Sequence, residues 1–198
     1  MISQSVTKPA VMNKKQRLLN SALLLFVEQG IHATSTASIA KAAGVANGTL
    51  FHHFPSKDDL ILALYKAIKQ DFALKISPIE LEAQQLKQQA KYIWQQAITW
   101  AIDNANKQQF CTLVRQYQPL SAQDKAQILA EEFGYLEVLI RFGQQHNLIA
   151  EHPLPLMLDI AHGQFISSSQ YFINHPDKIN DEHYQCAAFE MFWQAFER

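Results

Sequence analysis

Apolar side chains return every third or fourth residue along most of this chain, and the interruptions of that rhythm mark its elements. Between Lys14 and Gln29 the set Leu18, Leu19, Ala22, Leu23, Leu25 and Phe26 lines one helical face and Gly30 follows. That pattern predicts an amphipathic helix with a glycine stop. A short alanine-rich stretch, Thr34 to Gly44, opens on hydroxyl residues able to accept orphan N–H groups and closes on glycine, the composition of a two-turn helix. A second short helix fits Asn47 to Phe54, where Pro55 stops it. Ser56, followed three residues later by Asp59, then signals a longer helix from Lys57 to about Ile76. Past Pro78 five further helices are predicted, at about 79–104, 107–117, 122–145, 154–173 and 182–196. Their breaks are Gln118-Pro119-Leu120-Ser121, His146 to Pro155, and Asn174-His175-Pro176-Asp177. No strand pattern of useful length appears, so the fold class is all-α. Residues 1–12 are polar, contain Pro9 and lack periodicity, which predicts a disordered tail. The glutamine pairs at 84/85, 88/89, 95/96 and 108/109 fall mostly off the apolar stripe and are expected on solvated helix faces.

Composition agrees with a helical globular protein: 198 residues, 48% of them apolar, supply a sizeable core, while 6 Gly and 7 Pro are too few for a many-stranded β protein. Charge adds more. The formal net charge of −1 hides an asymmetry, because residues 1–70 carry eight basic side chains against three acidic ones, a net of +5, and the remaining 128 residues carry −6. A basic head on an acidic body is the balance of a polyanion-binding unit joined to a regulatory or assembly domain. No apolar run approaches the length of a membrane span, and the first dozen residues lack a secretory pattern, which predicts a soluble cytoplasmic protein with no membrane partner. Cys111 and Cys186 are too few for a disulfide framework or a zinc site and are expected as free thiols.

The two short helices, linked by Gly44-Val45-Ala46, have helix-turn-helix proportions, with Ile39, Ala40, Ala43, Val45 and Leu50 as small apolar contacts between them. The second would enter a major groove. Asn47, Thr49, His52 and His53 can hydrogen-bond to bases or phosphates, and Gly48 allows close backbone approach.

The run Gly30-Ile31-His32-Ala33-Thr34-Ser35-Thr36, then Ile39-Ala40, Ala43-Gly44-Val45, Gly48-Thr49-Leu50-Phe51, His53-Phe54, Lys57 and Leu60 resembles the N-terminal domain of TetR-type (tetracycline repressor family) transcription regulators. The match covers about 45 residues in order and with correct spacing. The resemblance implies a three-helix DNA-binding domain at 13–57, a helical effector-binding and dimerisation domain at 58–198, and a homodimer on double-stranded operator DNA. It also implies DNA contacts from Lys14, Ser35, Thr36, Asn47, Gly48, Thr49, Phe51, His52, His53 and Lys57. Three departures stand out: Ala46 where the family often has Ser, Phe51 for the usual Tyr, and Ala37 where some members place a base-reading Arg. Asn47 is an alternative source of the lost cap.

Outside the head, Asp159 and His162 sit at i and i+3 on one helix, but two ligands close no coordination sphere, so no metal and no cofactor are expected. Ser167-Ser168-Ser169 lacks a glycine elbow, Glu131-Glu132 fall on a solvated face, and no catalytic motif stands. Aromatic residues are numerous in the body. Trp94, Trp100, Phe110, Tyr117, Phe133 and Phe165, with Arg115 and His162, are expected either as core or as the lining of an effector pocket into which Ala97 and Ala101 also point. Two functions remain open at this point. One is a DNA-binding repressor released from a palindromic operator by a small, largely apolar effector; the other is a helical small-molecule binding or assembly protein whose head no longer reads DNA.

Overall fold

The computed structural model describes residues 12–76, 80–117 and 122–198, and the side chains of 122–133 lie outside the description, as do residues 1–11 of the expected tail. Among the described residues nine α-helices follow in order: α1 (Lys14–Gln29), α2 (Thr36–Ala42), α3 (Asn47–His53), α4 (Lys57–Lys75), α5 (Leu86–Asp103), α6 (Ala105–Gln116), α7 (Ala122–Gln145), α8 (Leu154–Asn174) and α9 (Glu182–Gln194). No strand occurs among the described residues, and the fold is all-α, with a helix-turn-helix head and a helical body.

Capping chemistry fixes the early boundaries. Asn13 Oδ1 accepts from the Gln16 N–H at 2.8 Å, and Ser35 Oγ accepts from the Ser38 N–H at 3.0 Å. Ser56 and Asp59 form a reciprocal pair: the Asp59 N–H donates to Ser56 Oγ at 3.1 Å and that hydroxyl donates to the Asp59 carboxylate at 2.6 Å. The expected helix over 79–104 is broken instead. Residues 83–85 form a 3-10 turn, because the Gln89 amide turns back to bond the Glu82 N–H at 3.0 Å and the Glu80 carbonyl at 2.9 Å. Gln89 is therefore buried, and Gln108 on α6 is buried as well, contrary to the expectation of a solvated face, whereas Gln84, Gln85, Gln88, Gln95 and Gln109 are exposed.

Two hydrophobic clusters hold the chain together. The first unites α1, α2 and α3 with α4, with Trp100 and Ala101 of α5, and with one face of α6, where Phe110 stacks on Phe26 at 5.7 Å between ring centroids. The head is thus packed against the body. The second cluster joins α5, α7, α8 and α9 through Trp94, Ile98, Ile140, Met157, Phe172, Phe189 and Trp193. Among the apolar residues of α8 and α9, Ala161, Phe172 and Phe192 fill this internal core. Leu156, Ile160 and Tyr171 of α8 and Met191 of α9 remain exposed.

Candidate nucleic-acid interface and body cavity

The turn between α2 and α3 is a Schellman motif: the Val45 N–H reaches the Ala40 carbonyl at 3.0 Å and the Gly44 N–H the Lys41 carbonyl at 3.1 Å. Gly44 takes φ +63°, a conformation that disfavours any side chain, and the Arg17 guanidinium lies against it. α3 then leaves Asn47, Gly48, Phe51 and His52 exposed, keeps Thr49 and His53 half-buried, and sends Leu50 into the core. No side chain caps its first turn, so Asn47 does not replace the hydroxyl absent at Ala46. Ser35 is exposed but spends its oxygen on the α2 cap, and Thr36 beside it is half-buried.

α1 contributes cations to the same end of the molecule. Lys14 is exposed, and Lys15 holds its ammonium 5.9 Å from the Phe54 ring centroid, next to the corner that leads to Lys57. Arg17 at the turn before α3 and Lys15 at the corner after it therefore flank this helix. Lys57 opens α4; burial lowers its ammonium pKa from the ordinary value, partly offset by the Asp58 carboxylate. None of Lys14, Lys15, Arg17, Lys41 or Lys57 forms an ion pair within the described residues.

In the body a cavity of about 130 Å³ lies between α4, α5, α6, α7, α8 and α9. Trp94, His162 and Phe165 of the expected set line it, as does Ala97. Trp100, Phe110, Arg115 and Tyr117 do not, and the side chain of Phe133 lies outside the described residues. Phe110 faces Phe26 in the head-side core, and Ala101 is fully buried there too. Arg115 pairs with Asp159 at 3.6 Å, which also occupies the carboxylate once weighed with His162 as a metal ligand. No group of three metal-ligating side chains exists among the described residues. Tyr117 turns to the head, donating to Asp58 Oδ1 at 3.1 Å with its ring 5.0 Å from His32. Burial, and then this bond, raise the Tyr117 phenol above its ordinary pKa and keep it a donor.

Trp100 points away from the cavity and donates from Nε1 to Asp71 Oδ2 at 3.1 Å, an oxygen that also accepts from Lys107 Nζ at 2.6 Å. The Lys107 hydrogen bond, more than the Trp100 one, holds the Asp71 carboxyl below its ordinary pKa of 3.8. A depressed folded pKa contributes stability that is complete above the unfolded value and fades as pH falls through the folded one. Asp71→Asn should therefore be less stable than wild type at neutral pH, and the gap should close below about pH 4 in urea titrations. A gap independent of pH would remove the ion pair as its source.

The sequence-based pocket set omitted Lys69 and Phe72 of α4 and Gln108 and Cys111 of α6, all of which line the cavity. A usable signal existed for two of them. Gln108 and Cys111 are three residues apart, on one face of α6, whereas Phe110 points about 100° away from Cys111.

Residues 18–64 match the family model described as bacterial regulatory proteins, tetR family. A solved structure from Shewanella sp. PV-4, assigned to the tetR family of transcription regulators, is 42% identical, with a TM-score of 0.87 over 94% of this chain and 100% of that one. The HTH-type transcriptional regulator AcrR of Shigella flexneri is 38% identical over 78 residues, 39% of this chain and 34% of that regulator. The chain thus matches the curated relatives over about a third of their length. The regulator FadR of Bacillus subtilis in complex with stearoyl-CoA shares the fold at 18% identity, with a TM-score of 0.70 over 89% of this chain and 96% of that one. No helix among the described residues is long and apolar enough to cross a membrane.

Proposed function

The chain belongs to the TetR family of bacterial regulatory proteins, and from that membership we propose that it is a dimeric DNA-binding repressor, released from its operator when a small, largely apolar molecule enters the body cavity. The observation that carries this reading is the sharing of two helices between cavity and head. α4 opens on Lys57 beside the α3 corner and, three turns on, gives Lys69 and Phe72 to the cavity wall. α6 turns Gln108 and Cys111 to the cavity and packs Phe110 and Val114, with Tyr117 just past its end, against the head. A ligand that displaces either helix carries the DNA-facing residues with it. The switch is a population shift, so operator must weaken effector binding by the factor with which effector weakens operator binding, typically about 1 to 3 kcal/mol.

Asn47, Gly48, Thr49, Phe51, His52 and His53 form the reading surface in this account, Lys14, Ser35 and Lys57 hold the DNA backbone, and Thr36 contacts a phosphate or a base. Lys57→Ala should weaken binding to every sequence and lower the salt slope by roughly 1 per bound head. Fluorescence anisotropy of genomic fragments across a salt series measures this, and an unchanged slope would take Lys57 out of the interface. The second reading, a binding protein whose head no longer reads DNA, draws on Ala37, Ala46 and Phe51 and on the missing α3 cap. It predicts no retarded fragment at all in an electrophoretic shift.

The exposed apolar stripe of Leu156, Ile160 and Tyr171 on α8, with Met191 on α9, supports pairing of these helices with a second copy as a four-helix bundle. Sedimentation should give a dimer at micromolar concentration; a monomer there would contradict the two-fold arrangement. A stearoyl chain, the ligand of the Bacillus subtilis FadR structure, exceeds the present cavity, so the effector proposed here is a smaller molecule.

A further inference from the structure

The cavity lining sets two unpaired polar groups into an aromatic frame. Trp94 stacks on Phe192 at 4.4 Å and meets Phe165 edge-on at 6.4 Å, while Phe165 lies 6.1 Å from Phe72. Rings so disposed offer faces and edges to another planar ring rather than to a flexible chain. The volume of about 130 Å³ is close to the roughly 150 Å³ of an apolar protein cavity that admits one benzene. The same wall holds Gln108, 8% exposed, whose Nε2 has no hydrogen-bond partner, and Tyr135, whose buried hydroxyl also has none. A buried donor left unpaired is costly, and a ligand that supplies an acceptor recovers that cost.

We propose that the cavity binds a compact aromatic carbonyl compound, its ring framed by Trp94, Phe165 and Phe192 and its carbonyl oxygen accepting from Gln108 Nε2 and the Tyr135 hydroxyl. This rests on the effector reading above and gives that effector a chemical class. A bare aromatic hydrocarbon leaves both donors unpaired. An alkyl ketone satisfies them but brings a chain where the walls are built for a plane.

Three eight-carbon probes separate these features: acetophenone has ring and carbonyl, ethylbenzene only the ring, and 2-octanone only the carbonyl. Calorimetric titration of the full chain without DNA should rank acetophenone at least tenfold above each of the others. Gln108→Leu should bring acetophenone and ethylbenzene to within about twofold of each other, and Tyr135→Phe, which removes only a hydroxyl, should narrow the same ratio should the leucine variant fold poorly. Ethylbenzene or 2-octanone binding as tightly as acetophenone, a preference unchanged in both variants, or no binding of any probe at millimolar concentration would each overturn the proposal. Because these titrations omit DNA, their failure leaves the regulator reading to operator binding. Acetophenone binding by a protein that retains no genomic fragment would sink the regulator reading and keep the ligand class.

Discussion

Truncating Phe110 to alanine should lower the free energy of unfolding by about 3 to 5 kcal/mol, the range for removing a fully buried phenylalanine. Its ring is completely shielded and stacked on Phe26, so the substitution opens a void where α6 meets α1. The same void loosens the seat of the DNA head. A residue lining the body cavity should behave otherwise, since its loss would alter affinity for the proposed effector and cost stability less. Urea denaturation decides the matter: a loss below about 1 kcal/mol would mean that Phe110 does not hold head to body.

Ala97→Trp should abolish the response to effector while leaving operator affinity within about twofold. Ala97 faces the cavity one turn from Trp94, and an indole added there occupies space that a ring-sized ligand needs. Operator affinity, salt slope and unfolding midpoint should stay near wild type, because none of the head residues is touched. Ala101→Trp is the contrast. Ala101 is fully buried in the head-side core, so the larger side chain has no void to enter and should destabilise the protein by about 1 to 3 kcal/mol through overpacking. An Ala97→Trp protein that still releases DNA on adding effector would relocate the effector site.

Helix boundaries were readable because local chemistry sets them. Gly30, Ser35, Gly44, Pro55 and Ser56 each supply a stop or a cap that needs no distant partner, and the first four helices begin and end within a residue or two of expectation. The break before Leu86 was not readable, since it depends on the Gln89 side chain finding backbone partners seven and nine residues back. The cavity was readable only in part. Aromatic content marks residues that will be buried without saying on which side of a helix. Trp94 and Trp100 are six residues apart, which turns them about 120° from each other, so the two could not share a cavity. Helical angle also parts Phe110 from Gln108. The position of Tyr117 depended on Asp58, 59 residues away, and no local pattern foretells such a contact. An apolar residue on α8 or α9 does not by itself declare an outer face, because Phe172 and Phe192 turn inward to meet α5.

The head should read DNA as one half of a symmetric pair. Purified protein should be used to select fragments from the host genome, and the bound fragments sequenced. The prediction is enrichment of a near-palindromic site whose half-sites lie about one DNA turn (~34 Å), or a multiple of it, apart. Recovery of fragments with no shared sequence, or of none above background, would contradict it.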